Sequence, residues 1–335
     1  DALPGDVAVG HARYSTTGST VLAPAQPCYA HPRCGPLALA HNGHLTNADA
    51  LKRELVSEGA IFSSSSDSEV IVHLIARSNA DTPEGQIREA LERIDGAYSL
   101  VIALGRTIYA AVDSRGFRPL VVGRLGTGAV VASETCALDL LGASVACELQ
   151  PGEFVRIDDG TITQLAPLAP RPVSRCVFEL VYFARPDSRV FGESVDRARR
   201  ELGRALAREH PALGAEVVFS VPDSSNAMAL GFSEESGIKL EHGLIRNHYV
   251  GRTFINPSQA IRVAKVRIKF NPVRDVIEGK SVVVVDDSLV RGTTSKGLVQ
   301  MIRAAGAREV HFRLCSPPIT GPCHYGIDTP TREEL

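Results

Sequence analysis

The segment Ser281–Ser295, SVVVVDDSLVRGTTS, limits the fold more than any other stretch of the chain. Ser281–Val285 is apolar and β-branched, the pattern of a strand buried on both faces, and such strands belong to parallel sheets covered by helices. It delivers Asp286 and Asp287 to the strand's carboxyl edge, where open α/β sheets bind ligands. Ser288 to Ser295 then read as a loop containing Gly292 and several hydroxyl residues, leading into a helix predicted over Thr294–Ala305. Backbone N–H groups of such a loop, with the positive end of the helix, make an anion site. Thr293, Thr294 and Ser295 add hydroxyl donors. The paired carboxylates do not hold phosphate. They accept hydrogen bonds from sugar hydroxyls or serve Mg²⁺ through water. Acids beside an anion cradle point to a sugar phosphate.

The surrounding pattern agrees. Helices are predicted over Val195–Glu209 and Ser225–Ser236, and strands over Glu216–Val221 and Glu309–Leu314. Strand–helix alternation indicates a parallel α/β sheet. Val217–Ser225 is an apolar strand ending in Pro222-Asp223-Ser224-Ser225. Alone it reads as a plain strand–turn–helix; beside the first loop it becomes a second ligand loop.

Residues 1–165 differ. Short apolar runs at Val7–Val9, Leu37–Ala40, Tyr98–Ala103, Ile108–Val112, Leu120–Val122 and Ala129–Ala132 are separated by glycine and polar turns, the spacing of antiparallel strands in stacked sheets. Helices are expected over Asn47–Glu58, with Asn47 as cap, over Ser68–Ser78 and near Pro83–Ile94. Pro167, Pro170 and Pro172 make Leu165–Ser174 a stiff linker. Two domains are therefore expected, 1–165 and 175–335, in agreement with the length of 335 residues.

Composition excludes several classes. Hydrophobic residues make up 44% and charged residues 22%, which is globular rather than disordered. The net charge of −2 argues against general nucleic-acid binding, so phosphate recognition must be local. No apolar run is long enough for a membrane span. The opening DALPGDVAVG has no basic-then-apolar leader, and seven cysteines without a CxxC pair suggest a reducing cytoplasm. The start at Asp1 and the helix-like end TREEL lead us to expect that both termini are missing.

Three polar clusters mark the first half: GHARYSTTG (Gly10–Gly18), AHNGHLTN (Ala40–Asn47) and SSDSEV (Ser65–Val70). Asn42-Gly43 is a tight-turn sequence. It also offers a side-chain amide and an N–H as two donors to an oxyanion. Arg13 suits a carboxylate, and Asp67 either caps a helix or takes an ammonium group. Together these groups describe a site for an amino-acid amide.

SVVVVDDSLVRGTTS resembles the phosphoribosyl diphosphate (PRPP) signature of type I phosphoribosyltransferases. GHARYSTTG, AHNGHLTNA and SSDSEV, with DSRGFRPL (Asp113–Leu120), VVASETCAL (Val130–Leu138) and LQPGE (Leu149–Glu153), resemble a class II, N-terminal-nucleophile glutaminase. With FARPDS (Phe183–Ser188) and YVGRTFI (Tyr249–Ile255), the whole chain resembles the glutamine PRPP amidotransferase family. That resemblance implies an αββα glutaminase sandwich followed by a phosphoribosyltransferase sheet. It implies that glutamine, PRPP and water give 5-phosphoribosylamine, glutamate and diphosphate, in a homo-oligomer, usually a tetramer.

The resemblance also assigns residues. Arg13 and Asp67 would bind glutamine, and Asn42 with Gly43 would form the oxyanion hole. Asp286, Asp287, Ser288, Arg291, Gly292, Thr293, Thr294 and Ser295 would bind PRPP, with Ser224, Asp286 and Asp287 at the Mg²⁺. Tyr249–Ile255 and Arg262–Lys269 match a closing loop, with Arg252 and Lys269 as phosphate partners. Cys176 and Cys323 match two of the four ligands of a [4Fe–4S] cluster found in one branch of the family; as spacing alone they read as ordinary thiols.

The family nucleophile is a cysteine at the mature N-terminus. Cys28 and Cys34 follow GHARYSTTG, and Cys136 reads as a packed small hydrophobe, so the chain taken literally lacks a nucleophile. Retention of Arg13, Asn42 and Asp67 favours truncation. An ammonia-using phosphoribosyltransferase with an inactive glutaminase domain, and a PRPP-binding regulator, stay open as alternatives.

Overall fold

The computed structural model describes residues 5–12, 25–247, 268–289 and 292–327. The chain divides into two compact units, Asp1–Cys176 with Cys323–Pro330 and Val177–Pro322 with Thr331–Leu335.

In the first unit, β1 (Cys28–Ala30) and β2 (Leu37–Leu45) lead to α1 (Ala48–Ser57), α2 (Asp67–Arg77) and α3 (Pro83–Arg93). Then come β3 (Gly96–Leu104), β4 (Thr107–Val112), β5 (Val121–Leu125), β6 (Gly128–Ala132), α4 (Thr135–Leu141), β7 (Ser144–Glu148), β8 (Phe154–Asp158) and β9 (Thr161–Gln164). A six-stranded sheet runs β1-β2-β3-β4-β8-β9, and a three-stranded sheet runs β6-β5-β7. Alternation along the strands assigns their faces. Leu100, Ile102, Ala111 and Phe154 pack with Leu51, Ile71, Ile75, Ile87 and Leu91 of α1–α3. Ala110, Val112 and Val155 pack instead with Leu120 and Val122 and with partly buried Val131 and Cys147. Val121 faces Leu138 of α4.

The second unit opens with a π-helical turn, Glu179–Phe183, followed by β10 (Arg189–Val190), β11 (Glu193–Ser194) and α5 (Val195–Glu209). It continues through β12 (Val217–Ser220), α6 (Asn226–Ser236), β13 (Lys239–Leu240), β14 (Leu244–Arg246), β15 (Phe270–Pro272), α7 (Arg274–Ile277), β16 (Ser281–Asp286), α8 (Thr293–Ala304) and β17 (Glu309–Leu314). The sheet order is β13-β12-β16-β17, every pairing parallel. Val282 and Val284 face Leu298 and Ile302 of α8. Val283 and Val285 face Leu206 of α5 and Met228 and Phe232 of α6. All four valines are fully buried, each contributing roughly 2 kcal/mol of transfer free energy. The fully buried parallel strand expected from the valine run is thus present, with helices on both faces.

Four expectations are corrected. Val7–Val9 is not a strand: it joins no sheet, and Ala8 is exposed. Asn42-Gly43 is not a turn: β2 runs through it, pairing Asn42 with Ser99 and Gly43 with Tyr98. Asn47 does not cap α1 with its side chain. Its amide instead donates to Arg93 O and accepts from Asp95 N, both at 2.9 Å, joining α1 to the end of α3. Leu165–Ser174, expected as a stiff linker, is packed onto the first unit. Its Leu168 is buried in the first unit's core, and Leu168 N and Ser174 N donate to Gly152 O and Arg115 O.

Candidate active sites

In the second unit, β16 ends at Asp286, and Asp287 follows it. Asp286 Oδ1 accepts from Ser225 Oγ at 3.1 Å and from Asp287 N at 3.0 Å. Ser225 is fully buried at the head of α6. Asp287 accepts from the Ser224 hydroxyl and from Ser288 Oγ, the latter at 2.6 Å. The two apolar strands β12 and β16 lie side by side, Ser220 opposite Val285, and this pairing brings both sequence-predicted loops to one sheet edge.

Burial lifts the Asp286 carboxyl well above the usual carboxylate range, and the neighbouring Asp287 charge adds to the lift. Asp287 is raised in the same direction, chiefly by burial, against the hydroxyls of Ser224 and Ser288 and the Arg199 charge. Cys315, next to the pair, is pushed up to about 12 by burial and by both acids. Gly292, at φ +66°, turns the chain into α8, whose first turn holds Thr293, Thr294 and Ser295; Ser295 is buried. Gly292 is suited to this left-handed position, where a side chain is strained.

Among the described residues no group of three or more His, Cys, Asp or Glu is arranged to hold a metal ion. Two carboxylates supported by hydroxyls fit the oxygen chemistry of Mg²⁺, which takes one or two carboxylates and completes its shell with water and substrate phosphate.

Sequence reasoning missed Arg199 and Arg246 and placed Ser225 in the second loop without assigning it a partner. Fully buried Arg199 donates to Leu180 O at 2.9 Å and Ala184 O at 2.8 Å, tying the π-helical turn to α5. Arg246, at the end of β14, pairs with Asp223 of the second loop. Nothing in local sequence marks these long-range partners. Arg291, Arg252 and nearly all of the Tyr249–Ile255 and Arg262–Lys269 stretches lie outside the described residues; Lys269 is described and lowers the Asp286 carboxyl electrostatically.

In the first unit, Asn42 and Gly43 sit side by side in β2, with Asn42 exposed. Gly43 adopts φ +146°, and a Cβ there would lie 2.0 Å from Ala97 O, so only glycine fits. Asp67 is the first residue of α2; Ser66, not Asp67, is the cap, accepting from Ser68 N at 3.3 Å. The Asp67 carboxylate accepts from Leu45 N at 2.9 Å and stands 3.5 Å from His44 Nδ1. The sheet edge that carries Asn42 and Gly43 is thereby bonded to the helix that carries Asp67. Arg13 lies outside the described residues.

Two neighbours shape the loops here. Burial acts to raise the Glu69 carboxyl, yet hydrogen bonds from the N–H and hydroxyl groups of Ser63 and Ser64 hold it below its usual range. Asp113, raised by burial, accepts from the backbone of Tyr98, Arg115, Gly116 and Phe117 and so fixes the DSRGF turn.

That turn anchors both candidate cluster cysteines. Cys176 N donates to Phe117 O at 3.2 Å. Cys323 Sγ accepts from Tyr325 N at 3.3 Å, and Tyr325 stacks on Phe117 with ring centroids 4.1 Å apart. These two thiols fall short of the four thiolates of a [4Fe–4S] cluster.

A glutamine amidotransferase domain family matches residues 11–140. Amidophosphoribosyltransferase 2, chloroplastic, of Arabidopsis thaliana is 51% identical over 337 residues, covering 100% of this chain and 60% of that protein. The Bacillus subtilis amidophosphoribosyltransferase is 49% identical over 334 residues, covering 99% of this chain and 70% of that protein. A solved structure described as the allosteric regulatory enzyme of purine biosynthesis superposes with a TM-score of 0.89 at 49% identity, over 97% of this chain and 70% of that one. The chain belongs to the amidophosphoribosyltransferase family. It spans about 60% of the length of the Arabidopsis relatives it matches.

Proposed function

We propose that the protein containing this chain converts glutamine, PRPP and water to 5-phosphoribosylamine, glutamate and diphosphate, the first step of purine biosynthesis. The observation that carries this reading is the buried acid pair Asp286–Asp287, bonded to Ser224 and Ser225 beside the head of α8. Similarity to amidophosphoribosyltransferases over 99–100% of this chain supports it.

At the PRPP end, Asp286 and Asp287 accept the ribose hydroxyls, and the Gly292–Ser295 turn takes the 5′-phosphate on N–H and hydroxyl donors. Asp286, Asp287 and Ser224 would hold Mg²⁺, which supplies charge neutralisation for the departing diphosphate. Arg246, through its pair with Asp223, and Lys269 supply further positive charge near this edge, and the family resemblance adds Arg291 to the PRPP-binding set.

At the glutamine end, the Asn42 amide and Gly43 N–H receive the oxyanion formed when the amide carbon is attacked. Asp67 holds the substrate ammonium and Arg13 its carboxylate. The attacking cysteine is not among the residues of this chain. Ammonia released in water is mostly ammonium and no nucleophile, so the product nitrogen needs a dry route to the anomeric carbon.

The finer readings belong to the same proposal. The first unit is a class II αββα glutaminase and the second a type I phosphoribosyltransferase; the layered cores of the two units support this. Cys176 and Cys323 are two ligands of a [4Fe–4S] cluster completed by thiolates from outside the described residues. The protein is a homo-oligomer, and exposed Leu140, Leu141 and Val145 on α4 and β7 give it an apolar surface to bury. It works in a reducing compartment, in keeping with seven cysteines as thiols; plant relatives are named chloroplastic. No described helix is long and apolar enough to cross a membrane.

The test uses the protein made from its complete reading frame. Phosphoribosylamine formation is measured with PRPP and either glutamine or ammonium chloride. Turnover with both donors, lost with both in Asp286→Asn/Asp287→Asn, is expected. Turnover with ammonia alone would instead favour the ammonia-using transferase, and PRPP binding without turnover the regulator.

A further inference from the structure

His41 immediately precedes the oxyanion pair, is 3% exposed and is used by no step above. Its ring bridges two elements. Nε2 lies 3.2 Å from Ala97 O on β3, and Nδ1 lies 3.1 Å from Ser68 Oγ in the first turn of α2. A carbonyl oxygen only accepts, so Nε2 carries a proton toward Ala97 O, while Nδ1 meets Ser68 Oγ, whose hydroxyl also reaches Asp67 Oδ1 at 3.5 Å. Ser68 is fully buried and adjoins Asp67, whose Oδ1 stands 3.8 Å from Nδ1. The backbone of His41 is held as well: its N–H donates to Gln26 Oε1 at 2.7 Å, and its carbonyl accepts from Gln26 Nε2 at 3.3 Å.

The ring also lies against Gly43. A Cβ on Gly43 would meet Ala97 O at 2.0 Å and His41 Nε2 at 3.0 Å. The Nε2–H···O=C bond is therefore the floor beneath the oxyanion donors, and Nδ1 is the strut to the helix carrying the ammonium carboxylate.

We propose that His41 is a positioning residue that sets the separation between the oxyanion pair Asn42–Gly43 and the ammonium-binding Asp67. This rests on the glutamine-site reading above. The two ring nitrogens divide the task. Nε2 fixes where the oxyanion is received and so governs turnover. Nδ1, through Ser68, fixes the register of Asp67 and so governs glutamine affinity.

Two near-isosteric substitutions separate these roles in the full-length protein. H41Q places an amide donor near the Nε2 position and gives up the contact with Ser68 Oγ. It is expected to raise the glutamine KM about tenfold with kcat retained, the size of one lost hydrogen bond. H41N places an amide near the Nδ1 position, keeping a polar partner for Ser68 Oγ, and gives up the Ala97 bond; it is expected to lower glutamine-dependent kcat about tenfold with KM retained. Ser68→Ala removes one hydroxyl and is expected to reproduce the H41Q effect; it carries the test if the ring variants fail to fold. Ammonia-dependent synthesis is expected to stay at the wild-type level in all three. Wild-type kcat and KM for glutamine in the variants, or a parallel loss of ammonia-dependent synthesis, would overturn the proposal. A wild-type protein without glutamine-dependent turnover overturns the functional reading instead, which separates the two failures.

Discussion

Ser225 Oγ donates to Asp286 Oδ1 at 3.1 Å, joining the buried head of α6 to the carboxyl edge of β16. The two loops of the candidate PRPP site are thus one hydrogen-bonded unit. The second loop alone reads as a plain strand–turn–helix. Their convergence requires β12 and β16 to be neighbours, which they are in register from Val217–Val282 to Ser220–Val285.

Ser225→Ala tests that link. Removing the hydroxyl leaves Asp286 with one fewer donor while Ser224 and Ser288 still serve Asp287. We expect unfolding to become easier by about 1 kcal/mol. Ammonia-dependent phosphoribosylamine formation should fall roughly tenfold in kcat/KM for PRPP as the carboxylate loses its orientation. Steady-state kinetics and denaturant unfolding read the two effects, and unchanged kinetics would remove Ser225 from the site.

The acid pair makes a signed pH prediction. Burial and the neighbouring charge raise Asp286 in the folded protein above its unfolded value. Between those two values the folded state binds more protons than the unfolded state, so stability falls as pH rises through that window. Without divalent cation, the unfolding midpoint should therefore decline from the ordinary carboxylate range upward. Asp286→Asn should flatten that decline and stabilise the neutral-pH protein by on the order of 1–3 kcal/mol while abolishing PRPP-dependent turnover. Mg²⁺ should raise the wild-type midpoint more than the variant's. A wild-type profile as flat as the variant's would refute the assignment.

Most of the second unit was legible because each signal was local. Val195–Glu209 and Glu309–Leu314 fold with the bounds read from their periodicity. The four valines of β16 could be buried only between two helical layers. The first unit was less legible where partners are distant. Asn42-Gly43 has the sequence of a turn, but the ladder to β3 and the Ala97 carbonyl under Gly43 override that preference. Asn47 has the identity of a cap, but Arg93 and Asp95 engage its amide. The prolines of 165–174 suggested a stiff linker, and buried Leu168 also stitches that stretch to the core. His41, Ser68 and Arg199 acquire meaning only from contacts that the chain order does not display.

The cluster proposal has a spectroscopic consequence. Cys176 and Cys323 are both tied to the Phe117 turn, so both thiols belong to one neighbourhood of the first unit. In the full-length protein purified without oxygen, Cys176→Ser or Cys323→Ser should bleach the visible iron–sulfur absorbance and lower bound iron. A spectrum identical to wild type would take that residue out of the ligand set. The wild-type protein having no iron would remove the cluster altogether.

Gly43→Ala gives the sharpest steric test of the glutamine site. The added carbon would sit 2.0 Å from Ala97 O and 2.6 Å from Ala97 C, on backbone that a neighbouring rotamer change does not relieve. The position also has φ +146°, which an alanine adopts only with strain. β2 must therefore move away from β3 at Asn42–Gly43, the proposed oxyanion donors. We expect a loss of about 2–4 kcal/mol in denaturant unfolding. Glutamine-dependent turnover should drop at least roughly a hundredfold, the scale of a lost oxyanion donor. Ammonia-dependent synthesis should persist, because the acid pair lies in the other unit with its own core. Equal loss with both nitrogen donors would mean that Gly43 supports the fold as a whole, and its place in the oxyanion hole would be withdrawn.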